Sequence, residues 1–117
     1  MTHDIQAAGD PARLAQSAVQ SLYRTDRASQ ALGLEITDVA PGRVRVEMTV
    51  RPDMVNGHGM CHGGIIFALA DSAFAFACNS HGEPMVAAGA SIEFLAVAHF
   101  RGRCSRLRVS TPNEANQ

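Results

Sequence analysis

The sequence predicts a single domain of the α+β class, and three observations lead to that class. A segment with helical periodicity comes first, a segment that alternates like a strand follows it, and an almost wholly apolar helical segment precedes a second alternating segment. A chain of 117 residues is long enough for one hydrophobic core. We therefore treat residues 1–117 as one domain.

The charge balance excludes some classes of partner. The net charge is −1, and all ten basic residues are arginine. We expect neither nucleic acid nor an anionic membrane surface to be the main partner. The three cysteines, Cys61, Cys78 and Cys104, lack CxxC spacing, so the sequence indicates neither a disulfide framework nor a structural zinc site. A reduced, cytoplasmic setting fits this pattern. Residues 1–9 show no secretory signal pattern, and the longest apolar stretch (residues 65–78) is shorter than the ~20 residues of a membrane span.

The first predicted element is an amphipathic helix. Asp10 and Pro11 form an N-cap followed by a proline of the first turn. Apolar residues then recur at helical spacing at Leu14, Ala15, Ala18, Val19 and Leu22. Gly33 is the predicted end. We expect this helix to cover an edge of the domain or a subunit surface.

Strand patterns follow the helix. A strand over residues 34–39 and a turn over residues 40–43 precede the clearest alternation, in which Val44, Val46, Met48 and Val50 share one face. An irregular, glycine-rich loop covers residues 51–64, and another alternating strand covers residues 84–97.

The segment from Ile65 to Asn79 predicts a helix that is apolar all round, so a sheet or a second subunit must cover it. Asp71 lies inside this segment. A carboxylate in apolar surroundings is costly unless it is hydrogen-bonded or serves a purpose such as general base catalysis. The sequence leaves both interpretations open, a structural aspartate and a catalytic one.

Gly63 and Gly64 open the same predicted helix. The first amides of a helix are unpaired and favour an oxyanion or a polarised carbonyl. Gly63 and Asp71 are about 12 Å apart along the axis and about 80° apart around it, so one chain cannot bring both to one carbonyl. If both act, the site combines Gly63 of one subunit with Asp71 of another.

These motifs resemble a known family. Asn56, the run His62-Gly63-Gly64 and Asp71, followed by Gly89-Ala-Ser-Ile-Glu-Phe-Leu95, are similar to the hotdog-fold acyl-CoA thioesterases, in particular the PaaI type of phenylacetate degradation. The similarity covers residues 22–95. It implies an antiparallel sheet wrapped round a central helix and assembly into homodimers or homotetramers. It also implies hydrolysis of phenylacetyl-CoA or ring-hydroxylated relatives without metal or cofactor.

The resemblance also implies residue roles. Asp71 is the general base or nucleophile, and the Gly63 amide polarises the thioester carbonyl. Asn56 helps to place water or substrate near the partner's Asp71, and Ser91 orients the attacking water. His62 and Gly64 are assigned to substrate binding, with His62 also holding the loop through a side-chain hydrogen bond.

Residues 96–117 depart from the family pattern. They are rich in arginine and show no clear strand alternation, so we expect the C-terminal strands to be truncated or altered, for instance by a shift of reading frame. An alternative is that these arginines bind the phosphates of coenzyme A: Arg101, Arg103, Arg106 and Arg108.

Three other interpretations of the site stay open. His58, Cys61 and His62 have a spacing that a metal site can use, although the glycines between them argue against a helix there. Cys61 alone is a candidate thiolate nucleophile ahead of a helix N-terminus, or simply a small buried residue. The third is a non-catalytic protein, or an inactive truncated homologue, that binds an acyl-CoA without turnover.

Overall fold

A computed structural model describes residues 10–80, 91–97 and 104–111, with side chains for residues 10–80 and 106–111. The helices are α1 (Pro11–Thr25), α2 (Arg27–Ala31) and α3 (Gly63–Asn79), and the strands are β1 (Glu35–Ala40), β2 (Arg43–Thr49), β3 (Ser91–Val97) and β4 (Cys104–Ser110). The described strands form one antiparallel sheet in the order β1-β2-β4-β3, which confirms the α+β class. Within these ranges, no helix is both long enough and apolar enough to cross a membrane.

The first helix begins as predicted but ends early. The Asp10 carboxylate accepts a hydrogen bond from the Arg13 amide at 3.3 Å and caps α1. The predicted single helix to Gly33 is wrong, because the Asp26 side chain caps a separate helix, α2, by accepting from the Ser29 amide at 2.9 Å. Gly33 ends α2 with a φ of 70°, which suits glycine.

The β1–β2 hairpin follows the predicted pattern. Gly42, with a φ of 74°, sits in the turn between the two strands. Val44, Val46 and Met48 are fully buried, whereas Arg45 between them is exposed. The buried face of β2 packs against α3, and α1 lies against β1 and α3. This arrangement fixes the position of α3 relative to the sheet.

Only one side of α3 is covered within the described part of the chain. Leu69, Ala73 and Phe76 are fully buried. On the other side, Phe67 is 72% exposed and Asp71 is exposed. The prediction of a helix buried all round therefore needs a cover from outside these residues, and the predicted apolar surroundings of Asp71 are absent from the described single chain.

The expectation that residues 96–117 lack strand alternation is wrong for residues 104–110. Strand β4 lies between β2 and β3, and Leu107 and Val109 are fully buried. On the opposite face, Arg106 and Arg108 both donate to the Glu47 carboxylate, at 2.9 and 3.2 Å. Those contacts argue against the coenzyme A phosphate interpretation for these two arginines. Arg101 and Arg103 lie outside the described residues.

Glu47 joins β2 to β4 through these two arginines. Burial of its carboxylate raises its pKa, but the hydrogen bonds from Arg106 and Arg108 outweigh burial and hold the pKa below the ordinary value. The Glu47 side chain is only 12% exposed, whereas both arginine side chains keep access to water.

We expect Glu47→Gln to lower the free energy of unfolding by about 1–2 kcal/mol at neutral pH, since charge-assisted hydrogen bonds are lost. Because folding lowers the pKa of Glu47, its contribution is fully present above the unfolded value of about 4.3. The contribution is lost as the pH falls through the lower folded value. Urea unfolding at several pH values measures this difference, which should shrink below about pH 4. Asp53→Asn, at an exposed ion pair, is the control, and a pH-independent difference for Glu47→Gln contradicts the assignment.

Candidate active site

The loop before α3 is a closed, hydrogen-bonded turn. A short 3-10 helix, Pro52–Met54, leads into it, and a β-bridge between Val55 and Cys61 closes it. Gly59 adopts a φ of 79°, and the His62 amide donates to the Met54 carbonyl at 2.8 Å. The loop therefore enters α3 along a defined path.

Asn56 holds this loop together through its side-chain oxygen. Its Oδ1 accepts hydrogen bonds from the amides of His58 at 2.9 Å and Met60 at 3.1 Å. Its backbone also bonds to Met60 and Gly59. No described residue accepts a hydrogen bond from the Nδ2 group of Asn56, so this group is the part of the side chain that is left to contact water or substrate.

His62 is the N-cap of α3. Its Nδ1 accepts a hydrogen bond from the Gly64 amide at 2.9 Å, and its carbonyl accepts from the amides of Ile65 and Ile66. Nδ1 therefore carries no proton in this arrangement, and the exposed ring presents Nε2. This side-chain contact is to the first turn of α3 and not to the loop, so the predicted role of His62 in holding the loop stays a prediction. The atoms of His62 and Gly64 that bond each other are not available to a substrate.

Gly63 differs from Gly64 in both its amide and its surroundings. Within the described residues, no group accepts a hydrogen bond from the Gly63 amide. A Cβ placed on Gly63 would meet nothing within 4 Å, whereas one on Gly64 would lie 3.2 Å from the His62 Nδ1. Close packing explains the glycine at 64, but it does not explain the glycine at 63. An exposed helix N-terminus with one free amide suits a polarised carbonyl.

Asp71 lies two helical turns further along the same exposed side. Both Gly63 and Asp71 belong to the continuous helix α3, so their separation of about 12 Å along the axis stands. No described residue donates a hydrogen bond to the Asp71 carboxylate. One chain thus presents the two groups in separate places, on a face that also exposes Phe67.

Ser91 is the first residue of β3 and pairs with Ser110 of β4. Strand β3 is at one end of the described sheet, opposite β1. The side chain of Ser91 lies outside the described part of the structure, so its predicted role in orienting water stays a prediction.

The alternative sites receive little support from these contacts. Cys61 is half-buried, packs against the core and lies with its Sγ 3.8 Å from the His62 carbonyl oxygen. The segment from His58 to His62 is a turn, as its glycines indicated, so the two histidines share no helix face. Among the described residues, no three His, Cys, Asp or Glu side chains are placed to hold a metal ion.

One contact beneath α3 is missing from the sequence-based predictions. Ser72, the neighbour of Asp71, has its hydroxyl 2.9 Å from the hydroxyl of the fully buried Ser29. Asp26 and Ser29 have the three-residue spacing of a helix N-cap and its partner, so the sequence could have indicated that these two side chains bond. Nothing in the sequence indicates the contact between Ser29 and Ser72, which are 43 residues apart.

Comparisons with known proteins agree with this arrangement. A model of the thioesterase superfamily matches residues 58–109, which include α3 and almost all of β4. The acyl-coenzyme A thioesterase PaaI of Escherichia coli K12 is 48% identical over 75 residues, which cover 64% of this chain and 54% of that protein. The chain spans about half the length of the curated relatives it matches, between 51% and 59% for three of them.

Solved structures show the same fold. The structure of the E. coli PaaI protein from the phenylacetic acid degradation operon has a TM-score of 0.64 at 31% identity, covering 86% of this chain and 93% of that one. A thioesterase family protein from Silicibacter pomeroyi has a TM-score of 0.56 at 20% identity, covering 83% and 95%, and this likeness concerns the fold alone. The chain therefore belongs to the thioesterase superfamily and has the hotdog fold of its PaaI-type members.

Proposed function

We propose that the protein is an acyl-CoA thioesterase whose site combines Gly63 of one subunit with Asp71 of a second copy. One observation carries this proposal. The same helix exposes a Gly63 amide without an acceptor among the described residues and, about 12 Å further along, an Asp71 carboxylate without a donor among them. A second copy, related by a two-fold axis, can supply the missing half of each site.

The chemistry needs only these groups and water. A thioester carbonyl has little resonance stabilisation, so a hydrogen bond from the Gly63 amide suffices to polarise it. As a general base, Asp71 removes a proton from the attacking water while the water oxygen bonds to the carbonyl carbon. As a nucleophile, Asp71 instead bonds to that carbon itself, and water hydrolyses the resulting mixed anhydride after the thiol has left. The C–S bond then breaks, and coenzyme A leaves as the thiol after taking up a proton. The Nδ2 of Asn56 and the hydroxyl of Ser91 are the groups that orient the water. The exposed Nε2 of His62 and the Gly64 backbone border the carbonyl site.

We propose phenylacetyl-CoA or a ring-hydroxylated relative as the substrate, with no cofactor. Support comes from the 48% identity to the E. coli acyl-CoA thioesterase and from the phenylacetic acid degradation operon of its solved structure. A cytoplasmic location agrees with an acyl-CoA substrate and with three cysteines that lack disulfide spacing.

Assembly of two or four copies is part of the same proposal. Phe67, between Gly63 and Asp71 on α3, is 72% exposed, and Met60 of the preceding loop is 55% exposed. Apolar side chains of this size are costly to leave in water. A homodimer or homotetramer would cover them and give Asp71 the apolar surroundings that the sequence suggests.

We expect Asp71→Asn to lower kcat for phenylacetyl-CoA hydrolysis by about 10²- to 10⁴-fold, because the water loses its base. Release of free thiol, followed with a colorimetric reagent, measures the rate, and gel filtration checks that the assembly is intact. Asp53→Asn removes another exposed carboxylate, in the segment that leads into the loop, and should leave the rate unchanged.

A wild-type rate in Asp71→Asn rules out Asp71 as base. If the wild-type protein binds phenylacetyl-CoA and releases no thiol, the protein is a non-catalytic acyl-CoA-binding member of the superfamily. Isothermal titration with phenylacetyl-CoA distinguishes that outcome from a protein that takes another substrate.

A further inference from the structure

We infer that Ser29 is a positioning residue for Asp71, acting through the hydroxyl of Ser72, and this inference rests on the proposed function. Asp26 orients Ser29, the Ser29 hydroxyl contacts the Ser72 hydroxyl, and Ser72 directly follows Asp71 in α3. The three side chains form a line from the start of α2 to the middle of α3.

The first link fixes the Ser29 side chain completely. The Asp26 carboxylate accepts the Ser29 amide on Oδ1 at 2.9 Å and the Ser29 hydroxyl on Oδ2 at 2.6 Å. Ser29 is fully buried, and the other buried polar residues of the described chain, Ser80 and Thr111, each keep a few per cent of their surface exposed. A buried hydroxyl keeps its partners, because losing one leaves an unsatisfied group.

The second link has a direction that the first one sets. The Ser29 and Ser72 hydroxyl oxygens are 2.9 Å apart, and either one can donate on distance alone. A serine has a single hydroxyl proton, and that of Ser29 is used on the acceptor-only Asp26 carboxylate. Ser72 is therefore the donor, and its proton points inward, towards α2.

This direction matters for the helix at Asp71. A serine within a helix otherwise donates to the carbonyl four residues earlier, which weakens and bends the helix. In this protein, the Ser72 proton is used on Ser29, so the carbonyl of Ala68 keeps only its backbone partner. The link also ties α3 to α2 at the residue next to Asp71, so it opposes rotation of α3 at that point.

Rotation is the motion to which the proposed site is most sensitive. A side chain ends about 5–6 Å from the helix axis, so a rotation of about 10° moves the carboxylate by about 1 Å. No described residue of the same chain bonds to the Asp71 carboxylate, so the helix alone sets its position. A misplacement of this size costs up to about 10²-fold in rate.

The test compares variants along the line with an exposed serine of α1. We expect Ser29→Ala and Ser72→Ala to lower kcat for phenylacetyl-CoA about ten-fold with KM changed less than about two-fold, because binding groups stay in place. Ser72→Thr keeps the hydroxyl and should restore most of the rate. Asp26→Asn should have a smaller effect than Ser29→Ala, because an amide Nδ2 donates to Ser29 and turns the Ser29 proton towards Ser72, which reverses the hydrogen bond without breaking it. Ser21→Ala is the matched control and should change nothing.

A loss that only follows the unfolded fraction, measured by thermal unfolding at the assay temperature, overturns the inference, and so does a wild-type kcat in Ser29→Ala. Amide hydrogen exchange separates this inference from the proposed function. Exchange across residues 68–76 should be faster in Ser29→Ala than in Ser21→Ala whether or not the protein hydrolyses thioesters. Equal exchange in the two variants overturns the link itself, and an inactive wild type overturns the proposed function.

Discussion

Gly63→Pro should keep the fold and lower kcat about 10²- to 10³-fold, because it removes the one amide proton that the proposed carbonyl site requires. Residue 63 is the first residue of α3, where proline is favoured because its missing N–H has no helical partner. The preceding His62 has a φ of −61° and a ψ of 135°, which is the conformation that a residue before proline prefers. The free energy of unfolding should change by less than about 1 kcal/mol.

Gly64→Pro is the reciprocal variant. The Gly64 amide donates to the His62 Nδ1, so its removal breaks the cap of α3, and a Cβ at this position would also lie 3.2 Å from the His62 Nδ1. The variant should therefore lose more than the roughly 1 kcal/mol of the cap alone. Thiol release and urea unfolding of both variants give the comparison. Gly63→Pro with the wild-type kcat would falsify the role of the Gly63 amide, whereas a Gly63→Pro protein that unfolds would contradict the statement that this amide has no structural partner.

The two adjacent glycines show where prediction from sequence ends. The sequence places both at a helix start and indicates that amides there attract an oxyanion. It cannot say which amide is free, because the answer depends on the rotamer of His62, whose Nδ1 turns towards Gly64 and leaves Gly63 open. The catalytic assignment of Gly63 thus came from resemblance, and the geometry supplies a physical reason for it.

The strands β2 and β4 also differ in how well the sequence predicts them. In β2, apolar residues alternate with outward-facing polar and charged residues, so the sequence predicts a strand. The full burial of Val44 and Val46 confirms this prediction. In β4, the alternation of Leu107 and Val109 with arginines resembles a charged surface, since its stabilising partner, Glu47, is about sixty residues earlier in the chain. Pairings of long range in sequence are the part of the fold that local periodicity cannot show.

Asp71 shows a third limit of prediction from sequence, because the sequence does not say how many chains surround a residue. Its apolar neighbours in sequence predicted a buried carboxylate, yet it is exposed on the described chain. The sequence pattern and the structure agree if the apolar cover comes from another subunit. That condition leads to the strongest test of the shared site.

Two inactive chains should restore activity when they assemble together. We expect a mixed assembly of Asp71→Asn and Gly63→Pro chains to hydrolyse phenylacetyl-CoA at up to about half the wild-type rate. In each mixed dimer, Gly63 of the first chain meets Asp71 of the second in one intact site, while the other site carries both substitutions. Co-expression with two different tags and tandem purification isolates the mixed assembly for the thiol-release assay.

The matched control is a mixed assembly of Asp71→Asn with Asp71→Ala, in which no site holds an aspartate at 71 in any arrangement. If each site lay within one chain, the first mixture would be no more active than the average of the Asp71→Asn and Gly63→Pro assemblies measured alone, because every chain carries one defect. Recovery above the control and above both single-variant assemblies has no explanation in a single chain, since α3 is one continuous helix and holds Gly63 and Asp71 about 12 Å apart. Because that helix is rigid, rescue shows that Gly63 of one chain lies close to Asp71 of the other. A mixed assembly that is not rescued would place Gly63 and Asp71 in separate sites.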